Sequence, residues 1–221
     1  INLDFNIEKD YVFVKALMKI KPKLKKTSKL TLQGNHIKLL SISIDGKELD
    51  SQEFILSAND LVVHNPPISE FILEIKSTID PFKNTSLEGL YLSSGMLTTQ
   101  CEAEGFRSIC FHPDRPDILS KYKVRIEADS LLYPILLSNG NKKYSGYLKN
   151  NKHRHEIIWE DPFPKPSYLF ALIAGNLSLV SDKYITNTGR IIDIKIYVEI
   201  GDEQYTYHAI DSLKKAMKWD E

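Results

Sequence analysis

The sequence predicts an all-β fold on three observations: alternating apolar and polar runs, turn dipeptides between them, and one change of period near the C-terminus. Phe71, Leu73 and Ile75 alternate with Glu70, Glu74 and Lys76, and Val124, Ile126 and Ala128 with Lys123, Arg125, Glu127 and Asp129. Ile192, Ile194, Ile196 and Val198 alternate with Asp193, Lys195 and Glu199. Successive side chains on a strand leave opposite faces, so each run has one buried and one wet face. Strands of that kind belong to antiparallel sheets rather than to a helix-covered parallel sheet.

The remaining elements follow in order. Tyr11 to Ile20 and Ile37 to Ile44 read as further strands, for roughly a dozen or more in all. Asp45-Gly46, Asn139-Gly140 and Thr188-Gly189 each supply a residue that tolerates positive φ, and each is expected near a hairpin. The basic run from Lys19 to Lys29, with Pro22 inside it, reads as an exposed loop. Pro116 to Tyr122, after the Asp114-Arg115-Pro116 turn, reads as a short helix. From Gln204 onward the period is helical: Ala209, Leu213, Ala216 and Met217 share one face, while Lys214, Lys215 and Lys218 lie elsewhere. That helix has no core of its own and reads as the first element of another domain. The expected organisation is a β domain over residues 1–202 and the start of a second domain over 203–221.

Composition bounds the function. The 221 residues are 42% hydrophobic and 26% charged, as in an ordinary globular protein. Lys+Arg and Asp+Glu both number 29, a balance that argues against general attraction to nucleic acid or an anionic membrane. No apolar run approaches the length of a bilayer span, and the first residues lack a signal peptide's charged-then-apolar pattern. The first residue is Ile1 rather than Met, so a processed or excised piece is expected. Cys101 and Cys110 are too few for a disulfide framework and read as reduced thiols of a cytoplasmic protein.

Most candidate chemistry yields to a bland reading. His155-Glu156-Ile157-Ile158-Trp159 begins like a zinc helix, but that motif needs a second His where Trp159 stands. The six histidines form no other ligand cluster, and neither a Gly-rich phosphate loop nor a Gly-x-Ser-x-Gly elbow is present. Asp161-Pro162-Phe163-Pro164-Lys165-Pro166 reads as a rigid extended connector, since proline blocks both helix and ladder bonding. Thr98-Thr99-Gln100-Cys101-Glu102-Ala103-Glu104-Gly105-Phe106-Arg107 differs, because it joins uncharged polar groups, a thiol and two carboxylates in a stretch with weak strand character. If this piece is extended, Gln100 and Glu102 share a face, and a carboxylate beside an amide suits an ammonium group.

Motifs in sequence carry a more specific reading. Asn84-Thr85-Ser86-Leu87-Glu88-Gly89-Leu90-Tyr91, then Thr99 to Arg107 above, then Asp114-Arg115-Pro116-Asp117 resemble the bacterial-type alanyl aminopeptidases (the aminopeptidase N type) of the gluzincin zinc metallo-aminopeptidase family. Tyr133-Pro134 with Leu137-Ser138-Asn139-Gly140-Asn141 extends the resemblance, as does the proline connector leading to Tyr168-Leu169-Phe170-Ala171-Leu172. Ser212-Leu213-Lys214 with Met217-Lys218-Trp219-Asp220-Glu221 completes it over nearly the whole chain.

The resemblance implies a saddle-shaped, mostly antiparallel, β-sandwich-like N-terminal domain laid against the enzyme's own catalytic domain. It implies zinc in the complete enzyme, held by a downstream HExxH helix that follows a GAMEN segment, and none bound here. Catalytic residues are therefore expected outside this chain, and Gln100 and Glu102 are the substrate-binding residues it implies. Glu102 would bind the free α-ammonium of a peptide substrate, and Gln100 would line the pocket for the first residue. Glu104 and Arg107 read as structural, tying the segment down, and Cys101 as a buried neutral thiol. The competing readings are a scaffold or protein-interaction β domain from a zinc-less member, and a generic β-sandwich binding module.

Overall fold

The computed structural model describes residues 1–23 and 28–221. The Lys19 to Lys29 loop reading therefore falls in part outside the described residues. Within them, the chain forms β1 (Asn2–Ile7), β2 (Val12–Ile20), β3 (Lys29–Gln33), β4 (Lys38–Ile44) and β5 (Lys47–Glu48). Next come β6 (Phe54–Leu56), β7 (Asp60–His64), β8 (Phe71–Ile79), β9 (Gly89–Ser93), β10 (Met96–Gln100) and β11 (Ser120–Asp129). The series ends with β12 (Ile135–Ser138), β13 (Asn141–Leu148), β14 (Asn151–Lys165), β15 (Leu172–Gly175), β16 (Ser178–Ile185), β17 (Ile191–Val198) and α1 (Tyr207–Asp220). The all-β expectation is met. Residues group into two compact units, Ile1–Gly175 and Asn176–Glu221.

The first unit holds three sheets. Eight strands run in the order β13-β14-β11-β1-β2-β8-β4-β5, four in the order β12-β15-β10-β9, and three in the order β3-β7-β6. Pairing is antiparallel except between β1 and β11. Phe5 stands opposite Val14 on one side and Ile126 on the other, so apolar positions line up across the sheet. The alternating run of β8 places Phe71, Leu73 and Ile75 inside, and that of β11 places Val124, Ile126 and Ala128 inside. These join Leu32, Leu61 and Val63 of the three-stranded sheet and Leu97, Leu136 and Leu172 of the four-stranded sheet in one core.

Several sequence expectations change. Pro116 to Tyr122 is not helical: the Ile118 N–H donates to the Arg115 carbonyl at 3.1 Å in a single turn, and Ser120 already begins β11. The pull of β1 and β14 on either side of β11 outweighs the local helix signal. Asn139-Gly140 closes no hairpin either. It carries the chain from β12 in the four-stranded sheet to β13 in the eight-stranded one. Gly140 has φ +88, and a Cβ there would lie 2.3 Å from the Glu160 carbonyl oxygen, so the crossing uses both its positive φ and its lack of a side chain.

The second unit is the β16–β17 hairpin, turned at Gly189 (φ +80), together with α1. Along β17, Ile194 is buried and Ile192, Ile196 and Val198 are partly buried. The covered face of α1 is one residue away from the expected one. Ile210 is buried and Lys214 and Met217 are partly buried, whereas Ala209, Leu213 and Ala216 are exposed. Lys214 reaches Asp182 of β16 at 2.6 Å. Within this unit a two-stranded ribbon covers only one stripe of the helix. No helix among the described residues is long and apolar enough to cross a membrane.

Candidate functional site

The Gln100–Arg107 segment is built from its two ends inward. Gln100 is the last residue of β10 and pairs with Gly89 of β9. Cys101 turns its side chain into the core, and its carbonyl accepts the Gly105 N–H at 2.9 Å. That bond closes a turn whose tip, Glu102-Ala103-Glu104, is exposed. The segment is thus a tight loop rather than an extended piece. Gln100 and Glu102 are still brought together, because the Gln100 side-chain Nε2 donates to the Glu102 carbonyl at 3.0 Å.

The returning leg is a single 3-10 turn, Gly105–Ser108. Phe106 anchors it: fully buried, its ring meets His112, Tyr122 and Phe170 edge-on at 5.2, 6.1 and 5.2 Å. Burying one such ring contributes about 1.5–3 kcal/mol. Glycine is required at 105 by close approach, since a Cβ there would lie 2.2 Å from the Gln100 carbonyl oxygen and 2.9 Å from the Gly89 nitrogen.

Arg107 and Asp114 complete the support. The Arg107 N–H and Nε each donate to Asp114 Oδ2 at 3.1 Å, and a terminal guanidinium nitrogen donates to the Asp114 carbonyl at 3.1 Å. The other terminal nitrogen pairs with Glu104 at 3.1 Å, as the structural reading of Glu104 and Arg107 anticipated. The Asp114 side chain is only 1% exposed. Its second oxygen accepts the Ser167 hydroxyl, and its N–H donates to Gln33 Oε1 at 3.0 Å. A buried polar side chain needs such hydrogen-bond partners, and Arg107 and Ser167 supply them. Sequence reasoning missed Asp114 as a hub, together with Gln33 and Ser167; only the Asp-Arg-Pro-Asp motif pointed near it.

Below the turn lies a low-dielectric interior. Burial pushes both the Cys101 and Cys110 thiols up to about 12, with the Asp114 charge adding to it. His112 is pushed down to about 4 by burial, against the pull of Asp114. Its Nδ1 and the Tyr122 hydroxyl have no hydrogen-bond partner among the described residues. Both cysteines are free. A neutral, enclosed thiol is no nucleophile, so these groups form the floor of the site and do no chemistry in it.

The two glutamates of the tip differ. Glu104 is held by Arg107, whereas the Glu102 carboxylate enters none of the ion pairs among the described residues. The arrangement presents one free anion on a braced loop. It suits recognition of a cation. Among the described residues no three His, Cys, Asp or Glu side chains come together as ligands.

A family model described as the peptidase M1 N-terminal domain matches residues 1–169. The chain belongs to the peptidase M1 family. This M1 N-terminal domain is 47% identical over 219 residues to aminopeptidase N of Caulobacter vibrioides. It is 42% identical over 221 residues to aminopeptidase N of Escherichia coli. It spans 25% of the length of each. Among solved structures, Legionella pneumophila aminopeptidase A in complex with aspartic acid superposes with a TM-score of 0.93 at 36% identity. That match covers 99% of this chain and 26% of the other. An M1 zinc metallopeptidase of Deinococcus radiodurans has the same fold, with a TM-score of 0.74 at 14% identity, 90% of this chain and 47% of the other being covered.

Proposed function

We propose that this M1 N-terminal domain supplies one wall of the substrate site of a zinc-dependent aminopeptidase, with Glu102 binding the free α-ammonium of the peptide. The observation that carries this is the free Glu102 carboxylate at the tip of a turn fixed by Cys101, Gly105 and Arg107. An enzyme that removes terminal residues must recognise a chain end, and that end is a cation. A carboxylate that enters a water-poor cleft already oriented binds it strongly and sets the first peptide bond in place. Gln100 lines the same place: its Nε2 holds the loop, and the amide oxygen lies outside that bond, free to accept from an ammonium.

The zinc ligands and the groups that act on the water belong, on this reading, to a catalytic domain beyond residues 203–221. The domain alone is then inactive. Support comes from the M1 relatives, which are about four times its length. The exposed Ala209, Leu213 and Ala216 stripe of α1 suits a helix that opens another domain.

The test is Glu102→Ala in the complete enzyme. Losing one buried charge partner costs about 2–5 kcal/mol of transition-state binding, visible in kcat/KM. A wild-type specificity constant would refute the assignment.

A further inference from the structure

Glu102 sits on three consecutive exposed residues, and a tip of that kind has few contacts of its own to keep it in register. Its foot is different. Arg107 is pinned on both sides of its main chain: the N–H donates to Asp114 Oδ2 at 3.1 Å, and the carbonyl accepts the Asn35 N–H at 2.8 Å. Its guanidinium then bridges Asp114 below to Glu104 above. The two pairs are unequal. Glu104 is 70% exposed and its pair is weak, while the Asp114 side chain is nearly inaccessible and its pair is strong.

Asp114 is itself fastened to two distant parts of the unit. Gln33, which holds its N–H, ends β3 of the three-stranded sheet. Ser167, which holds its Oδ1, follows β14 of the eight-stranded sheet. Asp114 thus ties both sheets to the returning leg of the turn, one through its main-chain N–H and the other through its carboxylate. Resting on the amine-site reading above, we propose that Asp114 is a positioning residue for the substrate ammonium. By fixing Arg107, and with it the returning leg of the turn, it sets the Glu102 carboxylate beside the place the amine must occupy. Asp114 touches no substrate; it acts through Arg107. A merely structural Asp114 would affect stability and the folded fraction and leave the preference for an amine unchanged. A positioning Asp114 changes that preference in the folded enzyme.

The experiment uses the full-length enzyme and the variants Asp114→Asn, Arg107→Lys and Ser167→Ala, with Glu102→Gln as reference. Kinetics on alanine p-nitroanilide give kcat and KM. Competitive inhibition by L-alanine and by L-lactate, which replaces the ammonium with a hydroxyl, gives the amine preference directly. Asp114→Asn is expected to lower the alanine-to-lactate preference about ten- to a hundredfold, the usual loss for a group displaced by about 1 Å. KM rises, lactate inhibition holds, and Arg107→Lys falls between the two. An unchanged preference in folded Asp114→Asn, with the preference lost in Glu102→Gln, overturns the positioning role and leaves the amine site standing. An unchanged preference in Glu102→Gln overturns the amine site and this role with it. Should Asp114→Asn fail to fold by circular dichroism, Arg107→Lys and Ser167→Ala decide the matter, and a wild-type preference in both overturns it.

Discussion

Gln100 and Glu102 are locked together across one residue, the side-chain amide of the first donating to the main-chain carbonyl of the second at 3.0 Å. The amide therefore shapes the loop that carries the carboxylate. Gln100→Ala removes one hydrogen bond, about 1 kcal/mol, and kcat/KM of the complete enzyme is expected to fall roughly fivefold. The urea midpoint of the same variant should move little, because both groups are exposed. A large stability loss with unchanged kinetics would contradict this division of labour.

Gly105→Ala is expected to fail for want of space. Its Cβ would lie 2.2 Å from one main-chain atom and 2.9 Å from another, and neither can swing aside as a long side chain can. Overpacking of that kind costs about 1–3 kcal/mol, read as a shift in urea midpoint. Gly46→Ala is the contrasting control: nothing lies within 4 Å, but its φ is +82. It should cost about 1 kcal/mol from backbone conformation alone, without effect on peptide hydrolysis by the complete enzyme.

Periodic patterns made most of the fold legible, and they failed where neighbours outside the pattern decide. The alternation of Phe71, Leu73 and Ile75 states which face is buried whatever the partner strand is. Pro116 to Tyr122 gives no such signal, and pairing with β1 and β14 took Ser120 onward into a strand. The helix over 207–220 was legible but its covered face was not, because Ile210 and Lys214 are selected by a narrow hairpin rather than by the widest apolar stripe. At the candidate site, the family motif pointed to Gln100 and Glu102. Gln33 and Ser167 lie 81 and 53 residues from Asp114, and nothing local in the sequence marks such polar partners.

The two thiols should be silent in the native domain. Burial and the Asp114 charge hold both near 12, so the thiolate fraction at pH 8 is negligible and access is closed. Iodoacetamide at pH 8 is expected to leave Cys101 and Cys110 unmodified over hours, and mass spectrometry should find both alkylated in urea. Fast modification of either thiol in the folded protein would place it outside the core.

His112 makes the first unit acid-sensitive, and the sign follows from its two states. Unfolded, the imidazole titrates near its ordinary 6.5; folded, burial against Phe106 lowers it to about 4. Between those values the unfolded chain holds a proton that the folded one does not, so stability falls as the pH drops from 6.5 to 4. A difference of that size is on the order of 3 kcal/mol once both states are protonated. His112→Phe keeps a ring against Phe106 and removes the titration. Urea unfolding at pH 7 and pH 4.5 should therefore show wild type losing about 2 kcal/mol more than the variant. Carboxylates elsewhere act on both proteins alike and cancel in that comparison. Equal losses would mean that His112 accepts its proton in the folded state, through a partner for Nδ1.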